Sequence, residues 1–129
     1  MKKRNAPLAA FASGGLLYGL CELVWRGWTH WSMPLAGGLS LMLLYFATGL
    51  RRAARWQKWL MGMCIITTVE FLFGCVVNLR LGWNVWDYSR HRGNLLGQIC
   101  PLFCVAWLGL SVPAVWLCNR LRRWERGDA

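Results

Sequence analysis

This 129-residue sequence predicts an all-α polytopic membrane protein: a four-transmembrane-helix bundle with both termini cytoplasmic (N-in/C-in). Three observations carry that prediction. Four apolar blocks, at about 8–24, 33–50, 59–79 and 95–118, each approach the roughly 20 residues that a helix needs to cross a bilayer. The basic residues are segregated between the blocks. The tryptophans gather at block ends, where amphipathic indoles prefer the headgroup level.

Charge segregation sets the orientation. Lys2, Lys3 and Arg4 precede the first block, Arg51, Arg52, Arg55 and Lys58 separate the second from the third, and Arg120, Arg122, Arg123 and Arg126 follow the fourth. Those eleven cations face four on the other side, namely Arg26, Arg80, Arg90 and Arg92. The positive-inside bias then places the termini and the middle connection in the cytoplasm of a bacterial inner membrane. A net charge of +10 on a soluble chain would point to nucleic acid. Here the cations flank membrane spans, so the expected partner is the lipid bilayer and no nucleic acid.

The first span opens with an Ala/Ser/Gly-rich run after Lys2-Lys3-Arg4, which imitates a secretory signal. The apolar run continues through Leu16-Leu17-Tyr18, as a retained span would. It carries Gly15-x-x-x-Gly19, a spacing that lets two helix backbones approach closely, either within the bundle or across a homodimer seam. The second span begins at Ser32-Met33-Pro34, with Ser32 suited to cap the helix and Pro34 to its first turn. Short connections make the first three helices antiparallel neighbours. The third connection, from Arg80 to Asn94, is longer and carries Asp87 and Ser89, which suit a turn. Pro113 interrupts the donor ladder of the fourth span and predicts a kink. Four spans use nearly all of the chain, so residues 1–129 read as a single transmembrane domain with no space for an ATPase module.

Within those spans the polar residues are the informative ones. Glu70 lies near the middle of the third block, where a carboxylate costs roughly 2.5–3.5 kcal/mol on insertion scales and so faces a polar interior or a partner. Glu22 lies near the outer end of the first, with Arg26 at i+4 in the order that forms a same-face ion pair. Asn78 is two turns beyond Glu70. His30, Asp87, Tyr88, Asn94 and Gln98 fall in the outer third. Together these nine predict a polar funnel that opens outward, with Glu70 at its floor, able to hold a proton, a cation or a small solute. The alternative reading is a hydrogen-bonded cluster that only stabilises the bundle, with Glu70 bonded to Thr67 or to a backbone carbonyl.

Six cysteines, Cys21, Cys64, Cys75, Cys100, Cys104 and Cys118, all fall in apolar stretches and read as small buried hydrophobes. No metal or other cofactor is expected. The sequence holds no nucleophile–base–orienter pattern, no P-loop and no zinc spacing, and a non-enzymatic protein is the expectation.

Three strings occur together: Glu22-Leu-Val-Trp-Arg26-Gly-Trp-Thr-His30-Trp-Ser-Met-Pro, Glu70-Phe-Leu-Phe-Gly74-Cys-Val-Val-Asn78, and Val85-Trp-Asp-Tyr-Ser89 followed by Asn94-Leu-Leu-Gly97-Gln-Ile-Cys100. Over Gly14 to Trp107 the chain thereby resembles the CmpB-like, type IV family of small bacterial membrane proteins labelled ABC-transporter permeases. The resemblance implies a four-span fold and a transport component. It also implies a separate ATPase subunit as partner, while a homo-oligomer is the expectation for so small a transport component. The positions that match are Glu22, Arg26, Glu70, Asp87, Tyr88 and Asn94.

Overall fold

The computed structural model describes residues 4–27, 29–50 and 52–127. Lys2, Lys3 and Arg51, used above for orientation, and Trp28, one of the tryptophans that follow the first block, lie outside the described residues. Four helices follow in order: α1 (Ala6–Arg26), α2 (Ser32–Leu50), α3 (Arg55–Gly74) and α4 (Pro101–Arg126). Each is long and apolar enough to cross a membrane, and α3 runs on into a π-helical continuation, Cys75–Arg80, that extends its span to Arg55–Arg80.

Local chemistry explains the boundaries. Asn5 caps α1 by accepting from the Leu8 amide at 3.1 Å, Pro7 occupies its first turn, and Gly27 ends it in a left-handed conformation at φ 76°. At α2 the cap is not Ser32, which lies inside the helix. Instead His30 Nδ1 accepts from the Ser32 amide at 3.2 Å and pairs with the Ser32 hydroxyl at 2.7 Å. The fourth helix begins at Pro101 rather than at residue 95. Leu96 and Gly97 adopt positive φ values of 53° and 72°, which no helix tolerates, so the apolar run 95–100 is a turn and Pro101 opens the helix proper. The helix then continues through Pro113 to Arg126.

The helices run up and down. Arg4 donates to the Trp124 carbonyl at 2.6 Å, joining the start of α1 to the end of α4. Arg122 donates to the Tyr45 carbonyl and the Thr48 hydroxyl, each at 2.6 Å, tying α4 to the last turns of α2. At the opposite end Arg26 reaches the Val85 carbonyl at 2.7 Å, so the 81–100 connection folds back onto the bundle.

The α1–α2 contact is built on missing side chains. A Cβ on Gly14 would sit 2.7 Å from the Gly37 carbonyl oxygen, and one on Gly15 would sit 2.9 Å from that of Pro34. One on Gly38 would meet the Phe11 carbonyl oxygen at 2.6 Å. Gly15 and Gly19 of the G-x-x-x-G run therefore face α2 of the same chain. The buried core lies between α1, α2 and α4, around Leu41, Leu44, Tyr45, Val115 and Cys118. Large apolar side chains such as Val24 (89 % exposed) and Val105 (67 % exposed) cover the outside, the distribution that a lipid-facing bundle requires. Cys21 and Cys64 are on that outer surface and not in the core.

Candidate functional site

Glu70 is on the inward face of α3, with only 4 % of its surface exposed. Its two oxygens accept from two different places. The Tyr88 hydroxyl, from the 81–100 connection, donates to Oε1 at 2.8 Å, and the Trp107 indole, from α4, donates to Oε2 at 2.6 Å. Neither Thr67 nor a backbone carbonyl is its partner; Thr67 turns its hydroxyl to the Cys104 sulfur at 3.7 Å. Burial, and after it the charge on Glu70, raises the Tyr88 phenol well above its ordinary pKa, so it remains a neutral donor. Its ring stacks on Phe103 with centroids 4.6 Å apart, which fixes the hydroxyl's direction.

Tyr18, one turn before Glu22 on α1, lines the same cavity as Glu70, and its ring lies 6.1 Å from that of Trp107. Glu22 pairs with Arg26 at 2.5 Å in the expected i, i+4 geometry, and both side chains are largely buried. Two bonded sets result, Arg26–Glu22 and Tyr88–Glu70–Trp107, with the Tyr18 ring beside the second.

This cavity, of about 140 Å³, lies between the four helices. Leu41, Leu44, Ile66, Val69, Leu110 and Pro113 contribute to its walls, with Tyr18 and Trp86 as the aromatic surfaces and Glu70 as the acid. Its volume is close to that of the roughly 150 Å³ apolar cavities that hold benzene. Of the nine residues expected to form a polar funnel, Glu70 alone lines this cavity, and the walls are mainly apolar.

The other expected site residues hold the 81–100 connection. Asn78 accepts from the Val85 amide at 2.7 Å and donates to the Gln98 side chain at 2.8 Å. Gln98 in turn donates to the Leu96 carbonyl, and its own carbonyl receives the Trp86 indole at 3.0 Å. Asn94 bonds the carbonyls of Ser89 and His91 and accepts from Gly97. Asp87 is exposed and accepts from the Ser89 amide at 2.9 Å, a bond that lowers its pKa. His30, besides capping α2, packs its ring against Trp31 and Trp83, which also contact each other at 5.6 Å.

Sequence reasoning missed three contributors. Tyr18 precedes Glu22 by one helical turn, a spacing that could have flagged it. Trp107 is the indole deep inside a span, where its N–H must find an acceptor. Trp86, expected at the headgroup level, is buried and turned into the bundle.

Four apolar antiparallel helices around a buried acid define the class: a multi-pass, four-helix membrane protein. Within that class the chain belongs to the family described as "Putative ABC-transporter type IV", whose model matches residues 10–125. Comparisons with curated proteins and with solved structures gave no match.

Proposed function

We propose that the protein is the membrane-embedded component of a transport system and that it binds a small cation, either a proton or a compact organic monocation, against Glu70. The observation that carries this reading is the buried acid on the wall of a benzene-sized cavity, in the last turn of α3 and so inside the Arg55–Arg80 span. A carboxylate costs too much inside a span to be retained as filler. The aromatic faces of Tyr18 and Trp86 would add cation–π attraction for an alkylammonium group. The family description supports a transport role and, with it, a separate ATPase subunit. In this reading the chain is not an enzyme. Its basic ends face the bacterial cytoplasm, and the 81–100 connection faces outward.

Proteoliposomes supply the test. Tetramethylammonium and proton fluxes are measured for the wild type and for Glu70→Gln at matched protein content. Loss of at least about tenfold in flux, with the protein still inserted and folded, is expected. Full flux through Glu70→Gln overturns the reading.

One observation favours a second reading. Both Glu70 oxygens already have donors, so the cluster could serve only to join α3, α4 and the outer connection. In that case Glu70→Gln and Trp107→Phe lower thermal stability in parallel and leave any measured flux unchanged.

A further inference from the structure

At the end of the bundle away from the 81–100 connection, a cleft of about 710 Å³ opens between the end of α2, the start of α3 and the last turns of α4. Arg52, Lys58, Arg122, Arg123 and Arg126 line it, and no acidic side chain does among the described residues. Glu125, the acid nearest in sequence, is committed elsewhere, accepting from the Tyr45 hydroxyl. Leaving Arg126 aside, Arg52, Lys58, Arg122 and Arg123 gathered in one concavity repel one another unless something anionic enters.

The cleft is built rather than incidental. Arg122 is held at its base by the Tyr45 carbonyl, the Thr48 hydroxyl and the Asn119 side chain, and its guanidinium lies 4.8 Å from the Tyr45 ring centroid. Arg123 and Arg126 reach the cleft from exposed positions on the same helix, Arg52 from the exposed α2–α3 connection, and Lys58 from a half-buried position in the first turn of α3. Ala54, at the N-terminus of the 20-residue α3, lines the cleft, so the positive end of that helix lies there, with the Ala54 amide itself taken by Gln57 Oε1 at 2.8 Å. Gln57 and Asn119 add neutral hydrogen-bonding groups to the walls. Trp56, which is exposed, and Trp124, packed under Arg4, flank this end at the level where indoles meet lipid headgroups.

We propose that this cleft binds a phosphate group, carried either by an anionic phospholipid headgroup or by a free phosphate anion. Planar guanidinium forks match phosphate oxygens in pairs, and Arg-rich lining distinguishes such a site from a general cationic surface. The inference is independent of Glu70, which is at a different level of the bundle, and it stands whether or not the cavity there carries a cation.

The experiment uses the full chain in neutral detergent. Retention of phosphatidylglycerol and of phosphatidylcholine is read by native mass spectrometry, and inorganic phosphate by phosphorus NMR line broadening. Each cation near an anionic surface is worth about fivefold in affinity. The triple substitution Arg52→Gln, Lys58→Gln and Arg123→Gln should therefore weaken binding by at least about tenfold. The charge-matched triple at the other end, Arg80→Gln, Arg90→Gln and Arg92→Gln, should change it less than about twofold. Selective retention of phosphatidylglycerol without broadening of inorganic phosphate assigns the cleft to a headgroup. Broadening that the cleft triple abolishes assigns it to free phosphate. If the cleft triple does not fold, Arg123→Gln alone should still cost about fivefold, and an unchanged affinity in that single variant counts against the site. Equal loss in the two triples, or no binding by either probe, overturns the proposal.

Discussion

The two helix pairs of this bundle are held by opposite means. Where α1 meets α2, glycines bring backbone against backbone, with Gly14 on Gly37 and Gly38 on Phe11. Where α3 meets α4, Gly62 packs against Ser111 at one level, but the distinguishing contacts are polar: Glu70 to Trp107, and Glu70 to Tyr88 in the outer connection. In lipid the hydrophobic drive between helices disappears, and close packing and hydrogen bonds are what remain. This molecule assigns one to each pair. The lesson is that the polar half has bonding groups whose arrangement can change with a ligand, while the glycine half has only shape.

Substitutions can break that contrast in order of expected size. The largest effect should come from Gly38→Leu, because even its Cβ would fall 2.6 Å from a backbone oxygen that cannot rotate away. Thermal unfolding in detergent should show a loss of more than about 3 kcal/mol, beyond ordinary overpacking. A tolerated Leu would mean that α1 and α2 are not held as described. Next comes Trp107→Phe, which leaves one Glu70 oxygen without its indole donor. Chemical denaturation should register about 1–3 kcal/mol. Coupling between Trp107→Phe and Glu70→Gln in a double-mutant cycle should exceed about 0.5 kcal/mol, and additivity would remove the bond from the account. Tyr88→Phe should cost about 1 kcal/mol, since the ring keeps its stack on Phe103 and only the hydroxyl is lost. The smallest effect belongs to Gly19→Ala. Its Cβ would rest 3.5 Å from Pro34 Cγ, an ordinary contact, and stability should stay within about 0.5 kcal/mol. A large loss there would extend the tight seam one turn further than the distances allow.

The helices were legible because length, apolar content and flanking cations are properties of composition along a line. The start of α4 was not, because Leu95 and Leu96 look like membrane residues and their turn depends on φ values that no hydropathy pattern encodes. The Glu22–Arg26 pair could be read, since i, i+4 spacing is local. The partners of Glu70 could not, because Tyr88 and Trp107 are 18 and 37 residues away in sequence. Likewise Asn78 and Gln98 stood out as polar residues but were read as walls of an outward-opening funnel, because their use as fasteners for Val85 and Trp86 depends on how the chain returns to the bundle. His30 displaced Ser32 as the cap of α2 for a similar reason: the imidazole approaches from outside the helix, and the Trp83 ring against it comes from a distant segment.

The turn-rich connection between Leu81 and Cys100 has little slack. Val85 is clamped from both sides, its amide by Asn78 and its carbonyl by Arg26, and Trp86 follows it inward. A reporter or epitope spliced between Gly82 and Trp86 would pull out all three fasteners together, so the segment that looks most like a tether is a poor place for an insertion.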